Sequence, residues 1–225
     1  MDSSDKAKIT FHLQTLPSAT AQALAFLSQQ EWLRKYEWYL AGGTALALQA
    51  GNRISVDLDF FTPQKDFDSQ IIVTLLEQHG WLTTLREKGT LYGLFMDAKV
   101  SFISLPFFLP QQELLPYGTV HILDQDDIAV MKIIAISQRG RKRDFFDLFW
   151  YVKHRMPLID VVQKLDMQYP NVKHNYHHIV KSLTYFEEAE EDPDPQIYFE
   201  ATWKEVKDYF VHEIARVGVD VLRLS

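Results

Sequence analysis

The chain has 225 residues, 47% hydrophobic and 24% charged, with a net charge of −7; it is long enough to bury a sizeable core and too acidic to coat nucleic acid nonspecifically, although a local basic patch is still open to it. Cysteine is absent, which excludes a disulfide framework, thiolate chemistry and cysteine-based zinc sites. No run of about 18 apolar residues is present, and "MDSSDKAKITFHLQ" lacks a basic-then-apolar leader pattern, so the expectation is a cytoplasmic protein with no membrane partner.

Read in chain order, "PSATAQALAFLSQQEWLRKY" predicts one helix capped by Ser18 or Thr20. "EWYLAGG" predicts a short strand ending at a glycine pair, and "TALALQAG" two helical turns stopped by Gly51. "SVDLDFFT" predicts a strand, and "DSQIIVTLLEQHG" an amphipathic helix with Asp68 or Ser69 near its cap. From Trp81 to about Leu123 the chain is β-rich, with strands expected at "WLTTLREK", "TLYGLFM", "AKVSFISL" and "GTVHIL". Beyond Asp126 it becomes helical: "DDIAVMKIIAISQRG", then "RDFFDLFWYVKH" with Asp144 as its N-cap, then three further helical periods. The fold class is therefore α+β, divided into an α/β part over 1–124 and a helical part over 125–225.

Asp57 and Asp59 alternate with Val56, Leu58 and Phe60, so the two carboxylates share one face of a strand, with Cα atoms about 6.5–7 Å apart. Two carboxylates so placed can converge on Mg²⁺ or Mn²⁺, hard cations that take oxygen ligands, whereas burying them unpaired would be costly. A solvent-facing edge strand would show the same spacing. Upstream, Gly42, Gly43 and Thr44 stand between a strand and a helix, where exposed backbone N–H groups and the helix dipole favour phosphate. A phosphate cradle beside metal-ligating carboxylates is what phosphoryl or nucleotidyl transfer requires.

"LAGGTALALQAGNRISVDLDFFT" resembles the first motif of the AbiEii/AbiGii toxin family, within the polymerase-β-like nucleotidyltransferase superfamily. Arg53 and Ser55 match the Arg-x-Ser that precedes the aspartates in that family, and "MKIIAISQRGRKRDFFDLFWYV" resembles its later motifs. The resemblance covers about residues 37–155 and implies a polymerase-β-like core, a mixed sheet flanked by helices, followed by a helical part. It also implies a metal-dependent nucleotidyltransferase using an NTP, with an RNA end such as tRNA as acceptor. The role implied is the toxin of a type IV toxin–antitoxin or phage-defence pair, with a cognate antitoxin protein as partner.

Lys132 is the polar exception in an otherwise apolar helix, flanked at helical spacing by Ala129 and Ala135. A lysine so placed either snorkels to the surface or meets an anion, and the resemblance implies the triphosphate. "RGRKR" at 139–143 opposes the dipole of the following helix; it is either a solvated turn or a docking patch for phosphates, with Arg143 the favoured member. Asp147 sits among Phe145, Phe146, Leu148 and Phe149; by resemblance it is the functional acid of this motif, a base toward the acceptor or an orienter of Lys132. "AKVSFISL" carries no carboxylate where related enzymes place a third, and Asp97 reads as a turn residue. That departure leaves three possibilities: Asp147 substitutes, one metal suffices, or the chain is a catalytically silent nucleotide-binding or regulatory module. A separate rival, ranked last, is phosphodiester hydrolysis with water as acceptor. "HNYHH" at 174–178 lacks a third metal ligand, and the acidic "EEAEEDPD" at 187–194 reads as a solvated loop.

Overall fold

The computed structural model describes residues 10–223. Most of the "MDSSDKAKITFHLQ" stretch, on which the absence of a leader was judged, lies outside them. The chain opens with a 3₁₀ turn at Leu13–Thr15, then α1 (Ser18–Leu27), α2 (Glu31–Lys35), β1 (Tyr39–Ala41), α3 (Gly42–Ala50), β2 (Asp57–Thr62) and α4 (Ser69–Leu76), which continues into a 3₁₀ turn. There follow β3 (Leu82–Glu87), β4 (Thr90–Phe95), β5 (Ala98–Ser104), β6 (Leu115–Tyr117) and β7 (Val120–Ile122). The remainder is helical: α5 (Gln125–Arg139), α6 (Lys142–His154), α7 (Leu158–Gln163), α8 (Leu165–Gln168), α9 (Tyr176–Ser182), α10 (Glu187–Glu190) and α11 (Trp203–Leu222).

All seven strands join one mixed sheet in the order β3-β4-β5-β2-β1-β7-β6. The central strand β2 runs antiparallel to β1 and parallel to β5, with Asp59 opposite Ala41 on one side and Ser101 on the other. Alternation along β2 sends Leu58, Phe60 and Thr62 into the core and leaves Asp57, Asp59 and Phe61 partly open on the other face. On the core face Phe60 stacks on Phe102, which Trp32 and Trp38 meet from α2 and from the segment before β1. One apolar cluster continues from this layer through Ile128, Ile133 and Phe145 to Val206 and Phe210 of α11, so the sheet and the helices share a core.

Several local expectations need correcting. The first predicted helix is two, α1 and α2, because Gln30 is extended, and Pro17 rather than Ser18 or Thr20 precedes it. Asp144 is not an N-cap: Arg141 holds that position, with no side-chain cap, and the Asp144 carboxylate is spent elsewhere. The helical period from Val172 to Glu190 is broken into α9 and α10, and β6, which contains Pro116, carried too short a pattern to be read as a strand. The acidic run is not simply solvated either. Asp192 pairs with Arg141 at 3.0 Å and Asp194 with Lys142 at 3.0 Å, so the two opposite charge runs partly neutralise each other. That segment continues as a strap whose backbone bonds Asn52 and Ile54.

Candidate active site

The register of β1 on β2 sets the site. Because Ala41 pairs with Asp59, the chain leaving β1 enters α3 directly against the Asp59 carboxylate. Gly42 turns there with φ +70°, in the left-handed region, and a Cβ on it would lie 3.1 Å from Asp59 Oδ2. Gly43 has a different reason to lack a side chain: a Cβ would stand 2.1 Å from Arg53 Nη2. No side chain caps the start of α3, whose first two residues, Gly42 and Gly43, line the carboxylate end of the cleft. Thr44 lies behind this turn, buried; its hydroxyl donates to Asp57 O and also bonds Ser55 Oγ at 2.9 Å. Thr44 thereby fastens α3 to the start of β2.

Around this turn opens a cleft of about 320 Å³. Gly42, Gly43, Arg53, Ser55, Asp57 and Asp59 line one end, and Lys132, Arg139, Arg143 and Asp144 face them from α5 and α6. The other end is apolar: Phe61, Ile103, Leu105, Phe107, Ile128, Met131 and Tyr169. Phe61 follows Asp57 and Asp59 at the same period of two, so one strand face supplies both carboxylates and the start of the apolar wall.

The charges in and behind the cleft are tightly arranged. Arg143 Nη1 lies 3.0 Å from Asp57 Oδ2, while Asp57 Oδ1 is buried with no partner among the described residues. Ser101 Oγ donates to Asp59 Oδ1 at 2.6 Å. Burial pushes the Asp59 carboxyl up; the Ser101 hydrogen bond opposes this and the Asp57 charge adds to it. Ser101 therefore stands in register with Asp59 on β5, a strand without a carboxylate, and Asp97 occupies the β4–β5 turn.

Behind the cleft, Lys132 Nζ bridges Asp144 Oδ1 at 2.6 Å and Asp147 Oδ2 at 2.7 Å. Arg53 grips Asp147 with two bonds, Nε to Oδ1 at 2.7 Å and Nη2 to Oδ2 at 2.8 Å, and Asn52 Nδ2 adds a third at 3.0 Å. Burial pushes the Asp147 carboxyl up, but the Arg53 and Lys132 charges outweigh it and hold it well below the usual carboxylate range. Asp144 is likewise net lowered, burial being outweighed chiefly by Lys132. Asp147 is completely buried and does not line the cleft. Its geometry is that of an anchor for Lys132 and Arg53.

The oxygen donors present suit a hard divalent cation: two carboxylates on one strand face, one with an unpartnered buried oxygen, next to a turn that admits no side chain. Among the described residues no group of three or more His, Asp or Glu gathers to hold a metal. Two carboxylates suffice only where substrate phosphates complete the coordination, the usual situation for Mg²⁺.

Residues 26–80 and 98–216 match the family described as nucleotidyl transferase AbiEii toxin of type IV toxin–antitoxin systems. This chain belongs to that family. An uncharacterized protein of Aquifex aeolicus (strain VF5) is 39% identical over 184 residues, covering 79% of this chain and 86% of that protein. Two solved structures share the fold. One is MenT4, a nucleotidyltransferase toxin from Mycobacterium tuberculosis H37Rv, at TM-score 0.53 and 15% identity, covering 94% of this chain and 90% of that one. The other is a protein from H. pylori assigned as a nucleotidyltransferase, at TM-score 0.51 and 18% identity, covering 91% of this chain and 98% of that one. This AbiEii-family chain is accordingly an enzyme of the nucleotidyltransferase class with a mixed sheet, flanking helices and a helical C-terminal part. Among its described residues no helix is long and apolar enough to cross a membrane.

The structure brings Gly42, Gly43, Arg53, Ser55, Asp57, Asp59, Lys132 and Arg143 to one cleft and sets Thr44 and Asp147 just behind it. The sequence offers no signal for Phe107, Tyr169 or the position of Ser101, and within "RGRKR" it favours Arg143 although Arg139 lines the cleft as well. Phe61 carried a signal in its spacing from Asp59, whereas Phe107 and Tyr169 lie on connecting segments with no periodicity to place them.

Proposed function

We propose that this chain transfers a nucleotidyl group from an NTP to an RNA end, tRNA being the acceptor class favoured, and that it acts as the toxin of a type IV pair restrained by a cognate antitoxin. The supporting observation is the cleft itself: Asp57 and Asp59 beside the open N-terminus of α3, facing Lys132, with an apolar wall beyond. In this reading Asp57 and Asp59 hold Mg²⁺ or Mn²⁺, which when bound neutralises phosphate charge and polarises the reacting phosphoryl group. The N–H groups of Gly42 and Gly43 receive phosphate oxygens, and Arg143 and the remaining N–H of Lys132 meet the triphosphate. The apolar wall holds the base. An acceptor hydroxyl attacks the α-phosphorus, the new P–O bond forms as the bond to pyrophosphate breaks, and the hydroxyl proton leaves to water. Arg53 and Asp147 hold Lys132 and the α3 turn in place.

The alternative of a silent nucleotide-binding module draws on one observation, Ser101 in register with Asp59. The two separate on incubating the protein with total tRNA, Mg²⁺ and each labelled NTP, beside an Asp57→Ala/Asp59→Ala control. Label entering RNA only with both aspartates intact is expected. Nucleotide binding without incorporation into any RNA fraction would instead favour the silent module, and shortening of labelled RNA would favour hydrolysis.

A further inference from the structure

A second cavity, of about 370 Å³, lies where the end of α5 meets α9 and α10, lined by Gln138, Arg139, Gly140, His178, Lys181 and Tyr185, with Glu188 at one edge. Gln138 and Arg139 line the cleft as well, so the two spaces adjoin at these residues. Residues 171–186 contain no aspartate or glutamate and carry Lys173, Lys181 and three histidines, while the acidic run that follows borders the cavity through Glu188 and accepts the Tyr185 hydroxyl through Glu187 at 2.6 Å. The neighbouring basic run is divided in use. Arg141 and Lys142 are taken up by Asp192 and Asp194. Arg139, by contrast, is 57% exposed and only 3.5 Å from Asp144 Oδ2, too loosely placed to hydrogen-bond it. The Lys181 ammonium makes no ion pair among the described residues, and the Tyr185 ring, 44% exposed, stacks on no other ring there.

Resting on the transferase reading, we propose that this second cavity receives the single-stranded end of the acceptor RNA and delivers its terminal hydroxyl past Arg139 into the cleft. Arg139 and Lys181 meet the strand's phosphates and Tyr185 supplies a face for a base, the pairing of cation and aromatic by which proteins hold single strands. Glu188 lies away from the phosphates and accepts from an exocyclic amino group, as carboxylates do with cytosine. The C-terminal carbonyls of α5 disfavour a phosphate directly on the helix axis, which places the strand on the Lys181 side. The shared residues Gln138 and Arg139 set this cavity beside the cleft, where an acceptor has to arrive.

The test uses the full chain and a short fluorescein-labelled single-stranded oligoribonucleotide, followed by anisotropy, with NTP affinity followed separately by calorimetry in Mg²⁺. Lys181→Glu and Tyr185→Ala should each weaken RNA binding roughly tenfold, and both should leave NTP affinity unchanged. Lys88→Glu, the same charge change on the exposed β3–β4 turn, should stay within about twofold of wild type. Equal losses for Lys88→Glu and Lys181→Glu, unaltered binding by both cavity variants, or no saturable binding by the wild-type chain would each overturn the placement. If the RNA results fail while NTP still binds, the transferase reading stands; absence of NTP binding by the wild-type chain removes both.

Discussion

At Gly43 one methyl group separates two outcomes. Its absence lets the Arg53 guanidinium lie against the α3 turn while holding Asp147 with two bonds. Gly43→Ala should push that guanidinium off its partner and cost about 3 kcal/mol, the range seen when one side of a buried ion pair is lost. Gly42→Ala meets mainly backbone strain, of about 1–2 kcal/mol. Urea unfolding of the two variants checks the order; equal losses would mean that Arg53 can move freely. Ser101 offers a second residue-scale test. Its hydroxyl lowers the Asp59 pKa against the burial that raises it, so Ser101→Ala should move the acid limb of the transfer rate to higher pH.

The helix pair α5–α6 is joined to the Asn52–Arg53 loop by charges of both signs buried together. Asp147→Asn should leave Lys132 and Arg53 undercompensated and destabilise by about 3–5 kcal/mol near neutral pH. The wild-type carboxyl titrates lower folded than unfolded, so its contribution is present above about pH 4 and fades as the pH falls through the folded pKa. The gap between variant and wild type should therefore close in acid. Asp127 carries the opposite sign. Its Oδ2 accepts the Gln111 and Gln112 N–H groups and its Oδ1 the Gln168 amide, yet burial pushes its pKa up to about 6. The folded state holds this proton more tightly, so the group's contribution falls as pH rises from about 4 to about 6. Asp127→Asn removes that loss, and turning the Gln168 amide would offer its unpartnered Oε1 to the new NH₂. The Tm of this variant relative to wild type should climb across the same window, the reverse of the Asp147→Asn trend.

At the scale of the molecule, the cleft takes its walls from the sheet, from the segments carrying Phe107 and Tyr169, and from α5 and α6. A ligand filling it adds to the links these parts already make through the shared core, the Arg143–Asp57 pair and the Arg53–Asp147 bonds. NTP with Mg²⁺ at about 100 times its Kd should stabilise the chain by about 2.7 kcal/mol, or roughly 5–10 °C in Tm. Mn²⁺ alone should give almost no shift, because Asp57 is engaged by Arg143 and only two carboxylates are on offer. A full shift with the ion alone would contradict the two-carboxylate account.

Much of this was legible in the amino acids. The period of two at Asp57, Asp59 and Phe61, the glycine pair between a strand and a helix, and Lys132 in an apolar helix are local patterns, and local patterns survive being read one residue at a time. Helix breaks at Gln30 and after Ser182 were missed because apolar spacing continues across them while the backbone does not. The sequence by itself determined the α+β order and the local patterns that place Gly42, Gly43, Asp57, Asp59 and Lys132 along it. Only the tertiary structure decided that Asp147 lies behind the cleft with Arg53, that Ser101 stands beside Asp59, and that Asp192 and Asp194 take up half of the basic run. Those outcomes depend on strand register and on charges tens of residues apart meeting where water is excluded, and no spacing along the chain encodes which of them will meet.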